Sequence, residues 1–207
     1  MRINLFNAGK RFNRDWIFRK AHLTFLPGHT YAITGSNGSG KSTLLQTLGG
    51  SMEISEGKIE WEHNGTSVDA DNVYSHLTIA APYVEVIEEM TAVEFLQFHQ
   101  QFKPLLQSIS IPEIIKLIGL EKAAAKQIRY YSSGMKQRIK LAQAIFSDAP
   151  LLLLDEPCTN LDVSGYDLYQ KLIQDHAANK TIIVSSNDVN EFSFCEKVIN
   201  IMDYKRV

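Results

Sequence analysis

Two short stretches of this chain combine charge and small residues in patterns suited to phosphate chemistry. GSNGSGKST, residues 35 to 43, fits the spacing G-x-x-x-x-G-K-[ST] through Gly35, Gly40, Lys41 and Ser42, with Thr43 following. The backbone N–H groups of Gly35, Ser36, Asn37, Gly38, Ser39 and Gly40 can cradle a phosphate chain where side chains leave them clear. The N-terminus of a following helix adds a positive dipole end. Lys41 is the cation for the outer phosphates, and the Ser42 hydroxyl is a ligand for Mg2+. A plain glycine-rich turn ahead of a helix does not require Lys-Ser-Thr, so the stretch reads as a site for a nucleoside triphosphate.

The second stretch, LLLLDEP at 151 to 157, sets four leucines directly against two acids. A carboxylate driven to the end of a buried strand is costly unless something compensates it. A Mg2+ ion beside a triphosphate supplies that compensation, so Asp155 reads as the metal-side acid. Glu156, turned elsewhere on a bend held by Pro157, reads as the general base that polarises an attacking water. A surface turn capping a helix is the plainer alternative, and the four leucines argue against it.

Elements must hold these residues in place. TYAIT (30–34), LLLLD (151–155) and TIIVSS (181–186) are short apolar runs of the kind buried in a parallel sheet, each flanked by a helical pattern. That alternation predicts an α/β core. Residues 2–7, 16–26 and 57–61 alternate apolar and polar, with turn signals at 27–29 and 56–57, and predict a partly antiparallel N-terminal sheet. Thr91 and Glu94 form a capping box ahead of Ala92, Phe95, Leu96, His99 and Phe102 at helical spacing. Pro112 opens a second helix that Gly119 stops. The expected organisation is one domain over 1–207, with a core at 1–83 and 148–207 and a helical subdomain inserted over about 84–147. His99 is expected on a helix face rather than as a ligand, because no second His, Cys or carboxylate stands at a matching spacing.

Composition narrows the partners. A chain of 207 residues, 44% hydrophobic, can bury one sizeable core but not two full-sized domains. Its net charge of -2 gives no sign of nucleic-acid binding. The basic first twenty residues, with Lys10, Arg11, Arg14, Arg19 and Lys20, read as a solvated edge. Cys158 and Cys195 are too few for a disulfide framework and read as packing residues in a reducing compartment. MRINLFNAGKRFNR lacks the apolar region of an export signal, and no run approaches the length that spans a bilayer. Work at a membrane would therefore need a partner to hold the chain there.

YYSSGMKQR, residues 130 to 138, resembles the signature motif of ATP-binding cassette (ABC) ATPases, commonly written L-S-G-G-Q, and stands upstream of the acidic strand as in that family. Ser132 and Gly134 match, while Tyr131, Ser133 and Met135 depart from the commonest letters. Asn160-Leu161-Asp162 is similar to the family's D-loop. Phe12 sits where the family places an aromatic that stacks on adenine, with Trp16 as the alternative. The resemblance covers nearly the whole chain. It implies a P-loop NTPase of ABC type, with a mixed β core, an N-terminal antiparallel sub-sheet and an inserted helical subdomain.

It further implies ATP and Mg2+ as cofactors, Ser42 and Asp155 toward the metal, and catalysis by Glu156 with Lys41 and Asn187. Two copies, or a paralogous pair, would close over ATP so that Ser132 and Gly134 act in trans. A separate membrane-spanning transporter subunit would hold the cassette on the cytoplasmic face of the membrane. The size resembles small bacterial cassettes grouped with haem- and cytochrome-biogenesis exporters. Two departures bear on mechanism. The family's glutamine on the loop entering the helical lobe is absent near Ala81 and Pro82, and Asn187 stands where a histidine usually contacts the γ-phosphate. Asparagine can donate a hydrogen bond there but cannot become cationic. Two other readings stay open: a soluble ABC ATPase, and a regulatory nucleotide-binding subunit that hydrolyses poorly.

Overall fold

Alternating strands open the chain and α/β alternation closes it. In the computed structural model, residues 1–205 are described. The first elements are β1 (Arg2–Phe12), β2 (Asp15–Phe25), β3 (Thr30–Thr34), α1 (Lys41–Leu48), β4 (Glu56–His63), β5 (Thr66–Val68) and β6 (Leu77–Ala80). There follow α2 (Ala92–Phe102), α3 (Ile111–Leu117), α4 (Ser133–Phe146), β7 (Leu151–Asp155), α5 (Val163–His176), β8 (Thr181–Ser185), α6 (Val189–Phe192) and β9 (Lys197–Asn200). Among the described residues no helix is long and apolar enough to cross a membrane.

Two compact units divide the chain. One contains Met1–Leu77, Pro150–Glu156 and the residues from Asn179 onward, and the other contains Thr78–Ala149 and Pro157–Ala178. In the first unit, β1 pairs antiparallel with both β2 and β4, and β4 pairs with β5. The pairing of β1 shifts register between Leu5 and Ala8, and Asn7 adopts a left-handed φ of 49°. Such a bulge swaps the buried face, which is why strict alternation ends near residue 7 although the strand runs on to Phe12. A parallel sheet in the order β7-β8-β3-β9 completes this unit. All five residues of β7 and of β8 are buried, as expected of strands covered on both faces. Leu44, Leu45 and Leu48 of α1 are buried with Ile3, Phe18 and Phe25, and the Trp61 indole N–H donates to the Leu48 carbonyl at 2.8 Å.

The second unit is helical. Thr91 caps α2 in a capping box with Glu94, as its spacing predicts, and Ser110 with Glu113 repeats the device at α3 ahead of Pro112. The unit differs from the expected 84–147 segment at both ends. It begins at Thr78, whose hydroxyl donates to the Ala144 carbonyl at 2.8 Å, and it takes in α5, where Arg138 Nη2 lies 3.6 Å from Asp162 Oδ1. Both contacts tie distant sequence to α4, and neither leaves a local signal.

His99 on α2 occupies a closed hydrogen-bond chain rather than a ligand site. The Gln143 amide N–H can only donate, so Nδ1 accepts it at 3.0 Å and the ring proton sits on Nε2, 2.7 Å from Ser147 Oγ. That hydroxyl in turn donates to the Gln143 carbonyl at 2.5 Å. Burial, with a smaller contribution from the Lys103 charge, lowers the His99 pKa to about 4. The folded value lies below the unfolded one of 6.5, so the unfolded state binds the extra proton between them. The stability due to neutral His99 is complete above about pH 6.5 and is lost as pH falls toward 4. Urea unfolding of the parent and of His99→Gln should therefore converge as pH drops from 7 to 5. The difference, discounted for partial exposure, is on the order of 1 kcal/mol. A gap that stays constant with pH would contradict the neutral assignment.

Candidate active site

The carboxyl ends of β7, β8 and β3 lie side by side, with Asp155 paired to Ser185 and Ser185 to Ile33. Loops leaving these strand ends share one edge of the sheet, the place where such sheets bind ligands. After β3 the chain enters the phosphate loop, and α1 begins at Lys41. Gly40 caps this helix with φ 102°, and a Cβ there would stand 2.1 Å from Ile17 Cγ2, so a side chain is barred by conformation and by space. Lys41 is buried, and its ammonium folds back to donate to the Gly35 carbonyl at 2.9 Å. Ser42 and Thr43 follow on the first helical turn, half-buried.

Asp155 is 2% exposed, and its Oδ1 meets no hydrogen-bond partner. Ser39 Oγ and Ser185 Oγ are likewise buried and unpartnered. Orphaned buried oxygens are rare and ask for an explanation. Among the described residues no three His, Cys, Asp or Glu side chains group to hold a metal by themselves. Mg2+ is instead taken by one or two carboxylates together with substrate phosphates, and the Asp155 carboxylate and the Ser42 hydroxyl are hard-oxygen donors of that kind. The residues fit a Mg2+ ion shared with a bound phosphate chain.

Glu156 is the opposite case. Its side chain is exposed, its N–H donates to the Ser185 carbonyl at 2.9 Å, and its backbone is left-handed with φ 44°. The left-handed conformation costs a residue with a Cβ about 1 kcal/mol. It turns the carboxylate out of the strand's line while Asp155 stays within it. Beyond β8, Asn187 meets the phosphate loop directly. The Gly35 N–H donates to Asn187 Oδ1, and Asn187 Nδ2 donates to Asn37 Oδ1, both at 3.1 Å.

The two candidate aromatics differ in what already covers them. Trp16 carries the Arg19 guanidinium 4.4 Å and the Arg11 guanidinium 5.5 Å from its ring. Phe12, at the tip of the β1–β2 hairpin, is 45% exposed with Lys10 Nζ at 5.2 Å. Phe12 is therefore the more accessible ring. Much of the basic edge is internally tied, since Arg19 also pairs with Glu56 at 2.8 Å and Lys10 donates to the Glu53 carbonyl at 2.7 Å.

The second unit holds the signature segment. Ser132 caps α4, its hydroxyl accepting from the Met135 N–H at 3.3 Å. A Cβ added at Gly134 would stand 3.1 Å from the Asn160 carbonyl oxygen, so the absence of a side chain lets Asn160-Leu161-Asp162 approach the helix start. Ser132, Gly134, Met135, Asn160 and Asp162 help line a cavity of about 470 Å³. The Ser164 hydroxyl, then the Gly165 N–H, hold the Asp162 carboxyl below its usual range, and Asp162 in turn caps α5.

Within the first unit, the structure brings together the phosphate loop, Asp155, Glu156 and Asn187, while Ser132 and Gly134 stand with the D-loop segment in the second. Two residues escaped the sequence reading. Ser185 is set beside Asp155 by strand register, which single-strand patterns do not reveal. Gln137 is buried on α4 and donates to the Pro157 carbonyl at 2.6 Å. A glutamine among apolar positions of a helix was the available signal.

Comparison with known proteins gives a consistent answer. Residues 18–159 match the family model described as ABC transporter. The cytochrome c biogenesis ATP-binding export protein CcmA of Aliivibrio fischeri is 32% identical over 171 residues, spanning 81% of this chain and 82% of that protein. Two solved structures share the fold. An ATP-binding subunit of an ABC transporter aligns with a TM-score of 0.82 at 22% identity, covering 97% of this chain and 85% of that one. A dimeric ATP-binding cassette in a post-hydrolysis state, bound to ADP and Pi, aligns with a TM-score of 0.78 at 24% identity, covering 96% and 93%.

The backbone at Glu156 yields a test that needs no ligand. Glu156→Gly removes the left-handed penalty and should raise the urea midpoint, stabilising the nucleotide-free protein by about 1 kcal/mol with an unchanged denaturant slope. A loss of stability, as glycine causes at ordinary positions, would show that φ here carries no strain.

Proposed function

The chain belongs to the ABC transporter family, and from that premise we propose that it is the ATP-binding and ATP-hydrolysing subunit of a membrane transporter whose membrane-spanning part is a separate chain. One observation carries the reading of the site. A buried carboxylate oxygen without a partner stands at the strand edge that the phosphate loop leaves. Bound Mg2+ would neutralise charge on the outer phosphates, with Asp155 and Ser42 as its protein ligands.

The chain's own residues account for the rest. Backbone N–H groups between Ser36 and Thr43 and the positive end of α1 bind the phosphates, the Gly35 N–H being held by Asn187. The Lys41 ammonium donates to the Gly35 carbonyl at 2.9 Å, and it would exchange that bond for the stronger one to a phosphate oxygen. Phe12 offers its exposed face to adenine. The Glu156 carboxylate accepts a proton from water as the water oxygen attacks the γ-phosphorus and the bond to the β-phosphate breaks, giving ADP and Pi. Asn187 meets the loop from the β8 side, where the family places a histidine.

Residues 1–207 act as one nucleotide-binding domain, in which Ser132 and the N-terminus of α4 form an anion-facing surface. A second copy, or a paralogous cassette, uses it when two cassettes close over ATP. The dimeric fold relative supports that arrangement, and the likeness to CcmA supports export as the direction. The cassette is held at the cytoplasmic face of the membrane by its partner, with no nucleic acid involved.

Two variants test the assignment by ATP titration, phosphate release and gel filtration with Mg·ATP. Glu156→Gln keeps the shape and removes the basicity. It should bind ATP as the parent does, release phosphate on the order of a hundredfold more slowly, and elute as a dimer. Lys41→Ala should lose nucleotide affinity by about tenfold or more. Parental turnover by Glu156→Gln would sink the general-base role, and unchanged affinity in Lys41→Ala would make the loop merely structural.

A further inference from the structure

The side chain of Asn187 is committed at both ends. We infer that Asn187 is a positioning residue that acts on the nucleotide through Asn37 and Gly35, as the outer half of a neutral amide clasp on the phosphate loop. The inference rests on reading that loop as the ATP site.

Hydrogen-bond chemistry fixes the orientation. The Gly35 N–H can only donate, so the atom it meets at 3.1 Å is Oδ1, and Nδ2 is left to donate to Asn37 Oδ1 at 3.1 Å. Because Asn37 is exposed and meets Asn187 through Oδ1 alone, its own Nδ2 is not spent on that contact and can donate to a phosphate oxygen. The clasp thereby selects which face of Asn37 the ligand meets.

Asn187 can do this because its neighbours are tied on both sides. The Ser186 N–H donates to the Ile33 carbonyl at 3.1 Å, which locks the end of β8 to β3. The Asp188 N–H donates to Ser186 Oγ at 2.9 Å, and Asp188 Oδ1 accepts from the Asn190 N–H at 2.9 Å as the cap of α6. The amide thus reaches the loop from a held backbone and fastens residues 35 and 37, which no ladder bond secures. With the lip of the loop already placed, binding a phosphate chain requires less ordering. No charge is added, so the effect belongs to nucleotide binding more than to stabilisation of the reacting phosphate.

Asn187→Ala, Asn37→Ala and the double variant test this in the full chain, with hydrogen exchange of the Gly35 amide measured without nucleotide and phosphate release measured against ATP concentration. Asn187→Ala should speed exchange at Gly35. Each single variant should raise KM for ATP by about threefold, with the change falling mainly on KM, and the double variant should be no worse than either single. Additive losses would overturn the clasp. So would a fall in kcat at constant KM, which would place Asn187 on the reacting phosphate itself. Unchanged Gly35 exchange together with normal ATP binding would overturn the clasp alone, whereas a parent that binds no ATP would overturn the site reading on which it stands.

Discussion

A carboxylate buried at the end of an all-apolar strand is the constraint from which the rest of this structure follows. Desolvating Asp155 is unfavourable, and its free Oδ1 recovers none of the loss within the chain. Such a residue persists where a ligand completes it. The strand β7 delivers Asp155 to the sheet edge, β3 delivers the phosphate loop to the same edge, and β8 lies between them in register. The buried oxygens of Ser39 and Ser185 share this incompleteness. Under the proposed function, a metal and a phosphate chain together would satisfy these groups.

Division of labour between adjacent acids comes from backbone geometry. Asp155 follows the strand and is buried, whereas Glu156 takes a left-handed φ and is exposed, although the two are chemically alike. Pro157, whose carbonyl is held by Gln137, carries the chain onward from that bend. The left-handed φ at one residue thus sends two adjacent carboxylates different ways, one buried and one exposed, and the proposed function gives the first to the metal and the second to water. Polar groups around the loop follow the same logic of provisional pairing. Lys41 donates to a backbone carbonyl that a phosphate oxygen would replace under the proposed function, and Asn187 meets the loop through two neutral hydrogen bonds.

The parts legible in the sequence were those written in consecutive residues. The run LLLLDE announced both the strand and its acids, Thr91 with Glu94 announced α2, and Ser132 announced the start of α4. Parts that depend on distant pairing were not legible. The clasp joins residues 150 positions apart, and the place of Ser185 beside Asp155 exists only once β7 and β8 are in register. The bulge near Asn7 hid the second half of β1 by switching its buried face. The helical unit takes in Thr78 and α5 besides the segment expected at about 84–147, and the side chains that tie both to α4 have no periodic spacing. The choice between Phe12 and Trp16 needed the positions of Arg11 and Arg19, which only the folded hairpin supplies.

The central claim, that Asp155 is kept unpaired for a metal bound with the nucleotide, is open to one direct measurement. Thermal unfolding of the parent and of Asp155→Asn can be followed with a non-hydrolysable ATP analogue, with and without Mg2+. For the parent, saturating analogue with Mg2+ should raise the midpoint by several degrees beyond analogue alone, since ligand at about a hundred times Kd contributes roughly 2.7 kcal/mol. For Asp155→Asn the Mg2+ increment should vanish, while the ligand-free midpoint stays level or rises because a buried charge has been removed. An Asp155→Asn protein that retained the full Mg2+ increment would contradict the account.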